Sequence, residues 1–432
     1  MSLSRRRFNQ QAAASATTAA VLGGGYFTQA AAAESESALE TFTVGVMGVN
    51  GRGSALAQAF MAQKNCEVAY VCDVDSRALG RVIELVGNKQ MKKPQGIVDV
   101  RKMLDDQSLD ILVCAAPNHW HAPATILGCS AGKHVYVEKP LSHNAKEGEL
   151  AIAAARKNKR IVTMGTQRRS WPAIQEGIQK VHDGAIGRPM YARSWYNAKR
   201  PSIGMGKQVE VPSWLNYDLW QGPAPQRTFK DNIVHYNWHW HWHWGCGELG
   251  NNGVHGLDVA RWGMQVDYPV HVSSSGGKYR WDDDQETPDT HVVAFDFADR
   301  KTITWEGLSW SPLGQIGEGF GVTFHGDKGS LGIFGAGYKL FDLGNKELEA
   351  KGGDGSDSVH VANFLDCIRN DKRPNADIEE AHKSTLLCHL GNIAHRVGRS
   401  LKTDPANGRI LNDAEAMQLW GREYQPGWEP QV

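Results

Sequence analysis

The stretch Gly45-Val46-Met47-Gly48-Val49-Asn50-Gly51-Arg52-Gly53 decides the fold. An apolar run starting at Phe42 leads into it and a helical pattern from about Ser54 leads out, which reads as strand, turn, helix. Gly48, Asn50, Gly51, Arg52 and Gly53 then occupy a G-x-G-x-x-G turn, where backbone N–H groups and the helix N-terminus hold a pyrophosphate. Asn50 stands where the second glycine is expected, and Asn tolerates left-handed backbone better than other residues with a side chain. Roughly twenty residues on, Cys72-Asp73 ends a second strand and puts a carboxylate where a ribose diol is held. An acid there repels a 2′-phosphate, so the expected cofactor is NAD rather than NADP. The competing reading is an ordinary Gly-rich strand-to-helix turn.

Outward from this turn, short apolar runs alternate with helical patterns. Further strands are predicted at Val68 to Cys72, Ile111 to Ala115, His134 to Val137 and Ile161 to Met164. That alternation means a parallel sheet wrapped by helices over residues 41–165. From Pro189 the pattern changes. Alternating runs at Met190 to Tyr196, Val270 to Ser275, His291 to Phe297, Lys301 to Trp305 and Val322 to Phe324 predict a large, mostly antiparallel open sheet within 166–350. Helical periodicity returns at Val359 to Arg369 and Glu379 to Val397, so residues 351–432 are expected to pack back on the body. The fold class is α/β: an N-terminal dinucleotide-binding domain followed by an α/β domain with an open sheet.

The chain has 432 residues, with 47 basic against 47 acidic side chains, which leaves no basic footprint for nucleic acid. Ser4-Arg5-Arg6-Arg7-Phe8, the Ala-rich stretch after it and the run Ala30 to Ala33 read as a twin-arginine signal over residues 1–33. Its apolar part is too short to span a bilayer of about 30 Å. The expected partner is therefore the twin-arginine translocase, the expected location is the periplasm, and no stable membrane insertion is expected. The seven cysteines are scattered with no CxxC, and Cys72 and Cys114 read as core residues. Fifteen tryptophans offer flat apolar faces, each with one N–H donor, a mixed polarity that suits sugar rings.

Two later segments point to a family. One strand runs into Ala116-Pro117-Asn118-His119-Trp120-His121, and the next into Tyr136-Val137-Glu138-Lys139-Pro140. That order resembles the Gfo/Idh/MocA oxidoreductases, which join a Rossmann domain to an open-sheet domain and place an EKP lysine beside the nicotinamide. The resemblance implies that Lys139 contacts the reacting sugar hydroxyl, and that Pro117, Asn118, His121 and Glu138 line the nicotinamide half of the cofactor. The physical requirement is a group that takes the hydroxyl proton as hydride leaves the carbinol carbon. A desolvated lysine can have its pKa lowered enough to assist. The family's D-x-G-x-H-x-x-D segment is matched by Asn251-Asn252-Gly253-Val254-His255-Gly256-Leu257-Asp258. It implies His255 as general acid/base, with Asp258 placed to orient its imidazole. Asn251 replaces the commoner aspartate, and an amide holds a hydroxyl but exchanges no proton at neutral pH. Asn251→Asp is accordingly expected to be tolerated better than loss of Lys139 or His255.

Ahead of that segment lies Tyr236-Asn237-Trp238-His239-Trp240-His241-Trp242-His243-Trp244. Extended backbone would put His239, His241 and His243 on one face and the tryptophans, Trp238 among them, on the other. Three readings remain: a sugar-binding wall, a zinc site, or plain packing. No metal is assigned. Arg168, Tyr196, Lys199 and Glu248 are further substrate-site candidates.

The expected function is NAD(P)-dependent hydride transfer between nicotinamide C4 and a carbinol carbon of a sugar, glycoside or polyol, with the cofactor tightly bound. An alternative is redox-neutral chemistry, in which transient oxidation permits glycoside cleavage or epimerisation. One exported branch of the family works in this way, although this chain lacks the Tyr-Pro-Thr-His segment of that branch. A second alternative is a non-catalytic, cofactor-stabilised sugar-binding protein. The resemblance also implies a homo-oligomer joined through the open sheet.

Overall fold

The computed structural model describes residues 41–432, a single compact unit. The predicted signal, residues 1–33, lies outside the described residues.

Six parallel strands form the first sheet: β1 (Phe42–Met47), β2 (Cys66–Cys72), β3 (Gln95–Ile97), β4 (Ile111–Cys114), β5 (His134–Val137) and β6 (Val162–Met164). Their order is β3-β2-β1-β4-β5-β6, every neighbouring pair parallel. The chain reverses its direction of winding between β1 and β4, and ligands bind at the carboxyl ends of strands at such a point. Val44, Val46, Val68, Val71, Ile111 and Val113 are all fully buried, as strands covered on both faces require. β3 was not predicted. It is three residues long with an exposed start, so it carries no alternation for a sequence pattern to register.

The second sheet has nine strands. It uses β7 (Pro189–Asn197), β8 (His271–Gly277), β9 (Thr290–Phe297), β10 (Lys301–Leu308), β11 (Phe320–Gly326), β12 (Gly329–Phe334), β13 (Gly337–Asp342), β14 (Glu347–Lys351) and β15 (Leu401–Lys402). The order is β14-β13-β12-β11-β7-β10-β9-β8-β15, antiparallel except where β10 pairs with β7. The meander β12 to β14 lies, all but Lys351, inside the span expected for the open sheet, but its strands were not individually predicted. β12 is broken by Gly332, and β14 is almost wholly exposed, so neither shows a clean apolar period.

Helix Val254–Met264 lies against the second sheet and buries Leu257, Val259 and Ala260. Helix Asp357–Asn370 instead completes the core of the first sheet, with Val361, Phe364 and Leu365 clustering with Val44, Val46 and Val113. The C-terminal segment thus also supplies β15 to the edge of the second sheet, beside β8.

Candidate active site

A cavity of 590 Å³ opens at the carboxyl ends of β1, β2, β4 and β5. It falls in the range of small-molecule and cofactor sites. Its wall starts at the Gly-rich turn. Gly48 has φ +79°, and a Cβ there would meet the Ala116 backbone nitrogen at 2.5 Å, so only glycine fits. A Cβ on Gly53 would meet the Gly48 carbonyl oxygen at 2.2 Å; Gly53 therefore packs helix against strand and does not line the cavity. Gly51 begins helix Arg52–Met61 without a side-chain cap, which leaves the first helical amides for a phosphate.

Asn50 is not in the left-handed region that its side chain was expected to tolerate. It is exposed, and its carbonyl and Oδ1 accept from Arg81 at 3.0 and 2.9 Å. The turn needs its positive φ only at Gly48, so position 50 is free to carry a side chain. Arg52 also departs from a simple cofactor contact. Its guanidinium donates to Glu138 at 2.6 Å and bidentately to Asp357 at 2.6 and 2.9 Å, tying the turn to the C-terminal helix.

Asp73 stands at the end of β2, where its Oδ2 accepts from Val49 N–H at 2.7 Å and its Oδ1 from Asp75 N–H at 2.9 Å. Burial raises its pKa, and these two amides act against the rise. Each oxygen retains acceptor capacity for a ribose hydroxyl.

Pro117, Asn118, His121, Glu138 and Lys139 line the inner half, as do Asn251 and His255. Asn118 Oδ1 is buried without a hydrogen-bond partner, which suits a ligand donor such as a carboxamide N–H. The ring nitrogens of His121 lie 2.5 Å from the Pro140 carbonyl and 2.8 Å from the Ala116 carbonyl. Together with the cavity size, the uncapped helix and the Asp73 carboxylate, these residues fit a nicotinamide dinucleotide.

Lys139 Nζ donates to the Asn251 carbonyl at 2.8 Å and to Asn251 Oδ1 at 2.9 Å. Burial lowers its pKa, opposed by Glu138 and Glu248 and reinforced by Arg52 and Arg200. Asn251 sits in the widened turn Leu249–Gly253 that opens helix Val254–Met264, and His255 follows one turn on. Burial, then the nearby cations Lys139, Arg168 and Arg52, hold the His255 pKa well below the usual value, so the ring is neutral. His255 Nδ1 is buried and unpartnered.

Asp258 does not orient that ring. Its oxygens take Arg169 in a buried ion pair at 2.8 to 3.0 Å and accept from Ser384 at 2.7 Å. A guanidinium that is itself buried demands a carboxylate, and Arg169 claims this one.

The aromatic segment is not extended. Asn237–Trp240 is a 3₁₀ turn, so the expected period-two faces do not form. Trp238 and His239 stack at 3.6 Å and line the cavity. His241 turns to Glu286 at 3.8 Å, and His243 approaches the Pro225 carbonyl at 2.7 Å. The three imidazoles take three separate partners and do not converge on one point.

Of the further candidates, Arg168 lies 4.4 Å over the Phe320 ring, donates to the Gly335 carbonyl and is near enough to act on His255, but it does not line the cavity. Tyr196 and Glu248 lie behind the wall, joined through Arg200. Residues that sequence reasoning missed include Trp120, Trp220 and His235, all in the lining, where Tyr236, at the start of the aromatic segment, joins them. They come largely from the irregular stretch between β7 and Leu249, where tryptophan density was the one signal.

A dinucleotide-binding sheet at its switch point, with a lysine just past the end of its own β5 and a neutral histidine brought from the second sheet domain, defines a nicotinamide-dependent oxidoreductase. Residues 42–166 match the oxidoreductase family's NAD-binding Rossmann fold, and 180–429 match its C-terminal alpha/beta domain. The chain belongs to the Gfo/Idh/MocA oxidoreductase family.

Among curated relatives, a glycosyl hydrolase family 109 protein of Saccharopolyspora erythraea is 26% identical over 208 residues, 45% of each chain. The levoglucosan dehydrogenase of Pseudarthrobacter phenanthrenivorans is 37% identical over 99 residues, 23% of this chain and 25% of that one. These alignments thus span less than half of each relative's length. In fold, the chain resembles the WlbA dehydrogenase of Bordetella pertussis, solved with NADH and UDP-GlcNAcA, at TM-score 0.66 and 19% identity, covering 84% of this chain and 99% of that one. It likewise resembles an aldose-aldose oxidoreductase of Caulobacter crescentus, at TM-score 0.65 and 19% identity, covering 84% and 100%.

Proposed function

We propose that this oxidoreductase is exported with a retained NAD and acts on a sugar, glycoside or polyol. The observation that carries the reading is the pairing of Lys139, held at 2.8 and 2.9 Å by Asn251, with the unpartnered Nδ1 of a neutral His255 in one cavity. Bound NAD supplies hydride acceptance at nicotinamide C4, and hydride return in the reverse direction.

The remaining chemistry belongs to the chain. Lys139, its charge disfavoured by burial, holds the reacting hydroxyl and eases departure of its proton. His255, neutral across the physiological range, has an open nitrogen to receive that proton. Trp238 and His239 give the sugar an aromatic face. Asp73 favours a free 2′-hydroxyl and therefore NAD. Export rests on Ser4 to Phe8, and a retained nucleotide follows from it, since no free NAD pool is expected outside the inner membrane. A second subunit suits the open face of the larger sheet, where Val292 is exposed and Tyr191 and Thr304 are partly so.

Redox-neutral glycoside cleavage is the second reading, favoured by the family 109 glycosidase names among the relatives. Mass spectrometry after incubation with mixed glycosides and added NAD separates the two. A dehydrogenated sugar supports oxidation, and a released aglycone without net oxidation supports cleavage. Sugar binding with neither a new product nor any change in nicotinamide absorbance would overturn both and leave a sugar-binding protein.

A further inference from the structure

The aromatic segment contains a strained residue that the proposed chemistry does not use. Tyr236 has φ +77° and ψ −50°, and Asn237 N–H donates to the His235 carbonyl at 3.1 Å across it. This is the rare γ-turn of positive φ, costly for a bulky side chain and kept only where the surroundings enforce it. Its ring lies 4.7 Å from that of His239 at the cavity wall and is 48% exposed. The strain therefore holds an aromatic face outward at the mouth instead of burying it.

Arg200 enforces the position. It donates to the Tyr236 hydroxyl at 2.6 Å and to the two oxygens of Glu248 at 2.6 and 3.3 Å. Glu248 is only 3% exposed and accepts from Asn251 Nδ2 at 3.4 Å and from Asn252 Nδ2. Asn251 in turn holds Lys139. The amide is the one side chain of this size that donates to Glu248 while accepting from the ammonium, which accounts for asparagine at 251. A continuous set of bonds thus runs from the mouth of the cavity to Lys139.

We propose that Glu248, with Arg200, is a positioning residue that fixes Lys139 through Asn251, and that it anchors Tyr236 as the residue that receives the sugar ring and selects it. The second half rests on the functional reading above; the first half does not.

The charged and titratable groups around Lys139 are Glu138 and Arg52 on the dinucleotide side, Glu248 and Arg200 behind Asn251, His121, His239 and His255 around the cavity, and the buried thiol of Cys388, which burial keeps protonated. Glu248 acts to keep Lys139 charged and Arg200 acts against it. Glu248→Gln removes the first and leaves the second in place, so the Lys139 titration moves downward.

Trace acetylation by acetic anhydride across a pH series, read at the Lys139 peptide by mass spectrometry on purified holoprotein, measures this without any substrate. The expected result is a midpoint lower by about one pH unit in Glu248→Gln. An unmoved or raised midpoint in a folded variant, judged by melting and nucleotide content, overturns the coupling. For the second half, Tyr236→Ala and Tyr236→Phe are assayed with levoglucosan and a nitrophenyl N-acetyl-α-galactosaminide. Tyr236→Ala should raise KM by about tenfold with kcat within about threefold, as loss of one binding contact does, and Tyr236→Phe should raise it less. An unchanged KM in Tyr236→Ala overturns the selection role. Should the unaltered protein turn over neither sugar, the functional reading and the Tyr236 role fall together, while the acetylation midpoint still decides the coupling.

Discussion

Asn251→Asp looks conservative in sequence, but the structure makes it a severe test. The amide donates to Glu248 at 3.4 Å and accepts from Lys139 at 2.9 Å. A carboxylate in its place sets two negative charges 3.4 Å apart, a repulsion of about 5 kcal/mol at an effective dielectric of about 20. The relief available is Lys139, which both carboxylates then hold firmly as an ammonium. An added opposite charge at this range raises a lysine pKa by about one to three units. If Lys139 acts as the neutral amine, the rising limb of kcat/KM, along which activity grows as the amine loses its proton, should move to higher pH by the same amount, and kcat/KM near neutral pH should fall by about tenfold to a thousandfold. The assay is the pH profile of kcat/KM for the variant and the unaltered protein, with bound nucleotide measured in both. Superimposable profiles, or a limb that moves downward, would show that Lys139 does not act through its neutral form or that Glu248 is not ionised, and the reasoning would fail. The expectation that aspartate is tolerated here came from the motif alone and did not include Glu248.

Lys139→Ala and His255→Ala should each lower turnover by about two to four orders of magnitude while nucleotide binding persists, and steady-state kinetics showing more than a tenth of normal turnover would remove either from the mechanism. Asp258→Asn should instead act on stability, costing about 3–5 kcal/mol in denaturant unfolding by stranding buried Arg169, with the pH profile of any active fraction unchanged. His291, His382 and His389 are buried neutral, at about 3, 4 and 3 respectively, so between those values and about 6.5 the unfolded chain binds more protons than the folded one. Stability is then full above about 6.5 and falls with acid by at most about 4 kcal/mol per pH unit for the three together; a melting temperature flat from neutral pH to about pH 5 would contradict this. Protein denatured after gel filtration should release close to one NAD(H) per chain, since a tightly held ligand adds about 4 kcal/mol at a thousandfold excess over its dissociation constant. An empty protein that consumes added NAD as a cosubstrate would refute retention.

Local patterns carried much of the design. A strand, a turn that only Gly48 can make, a helix, and Asp73 at the next strand end all lie within one stretch of chain, residues 42–73, and short-range sterics and hydrogen bonds set them. The Glu138-Lys139-Pro140 run and the Asn251 to Asp258 segment were legible for the same reason, each being a few residues at the end of one element. Partnerships between distant residues were not legible. Asp258 pairs with Arg169, 89 positions away, because burial forces that guanidinium to find a carboxylate. Arg52 reaches Asp357 across 305 positions because a C-terminal helix completes the first sheet's core. The histidine and tryptophan stretch has a perfect period of two, yet Asn237–Trp240 folds as a 3₁₀ turn and the rings along the stretch pack on separate partners. Sequence spacing determines which side chains share a face of one element. The identity of the group opposite that face is set by packing among all the elements together, and here that packing joined Glu248 to Lys139 and turned Asp258 away from His255.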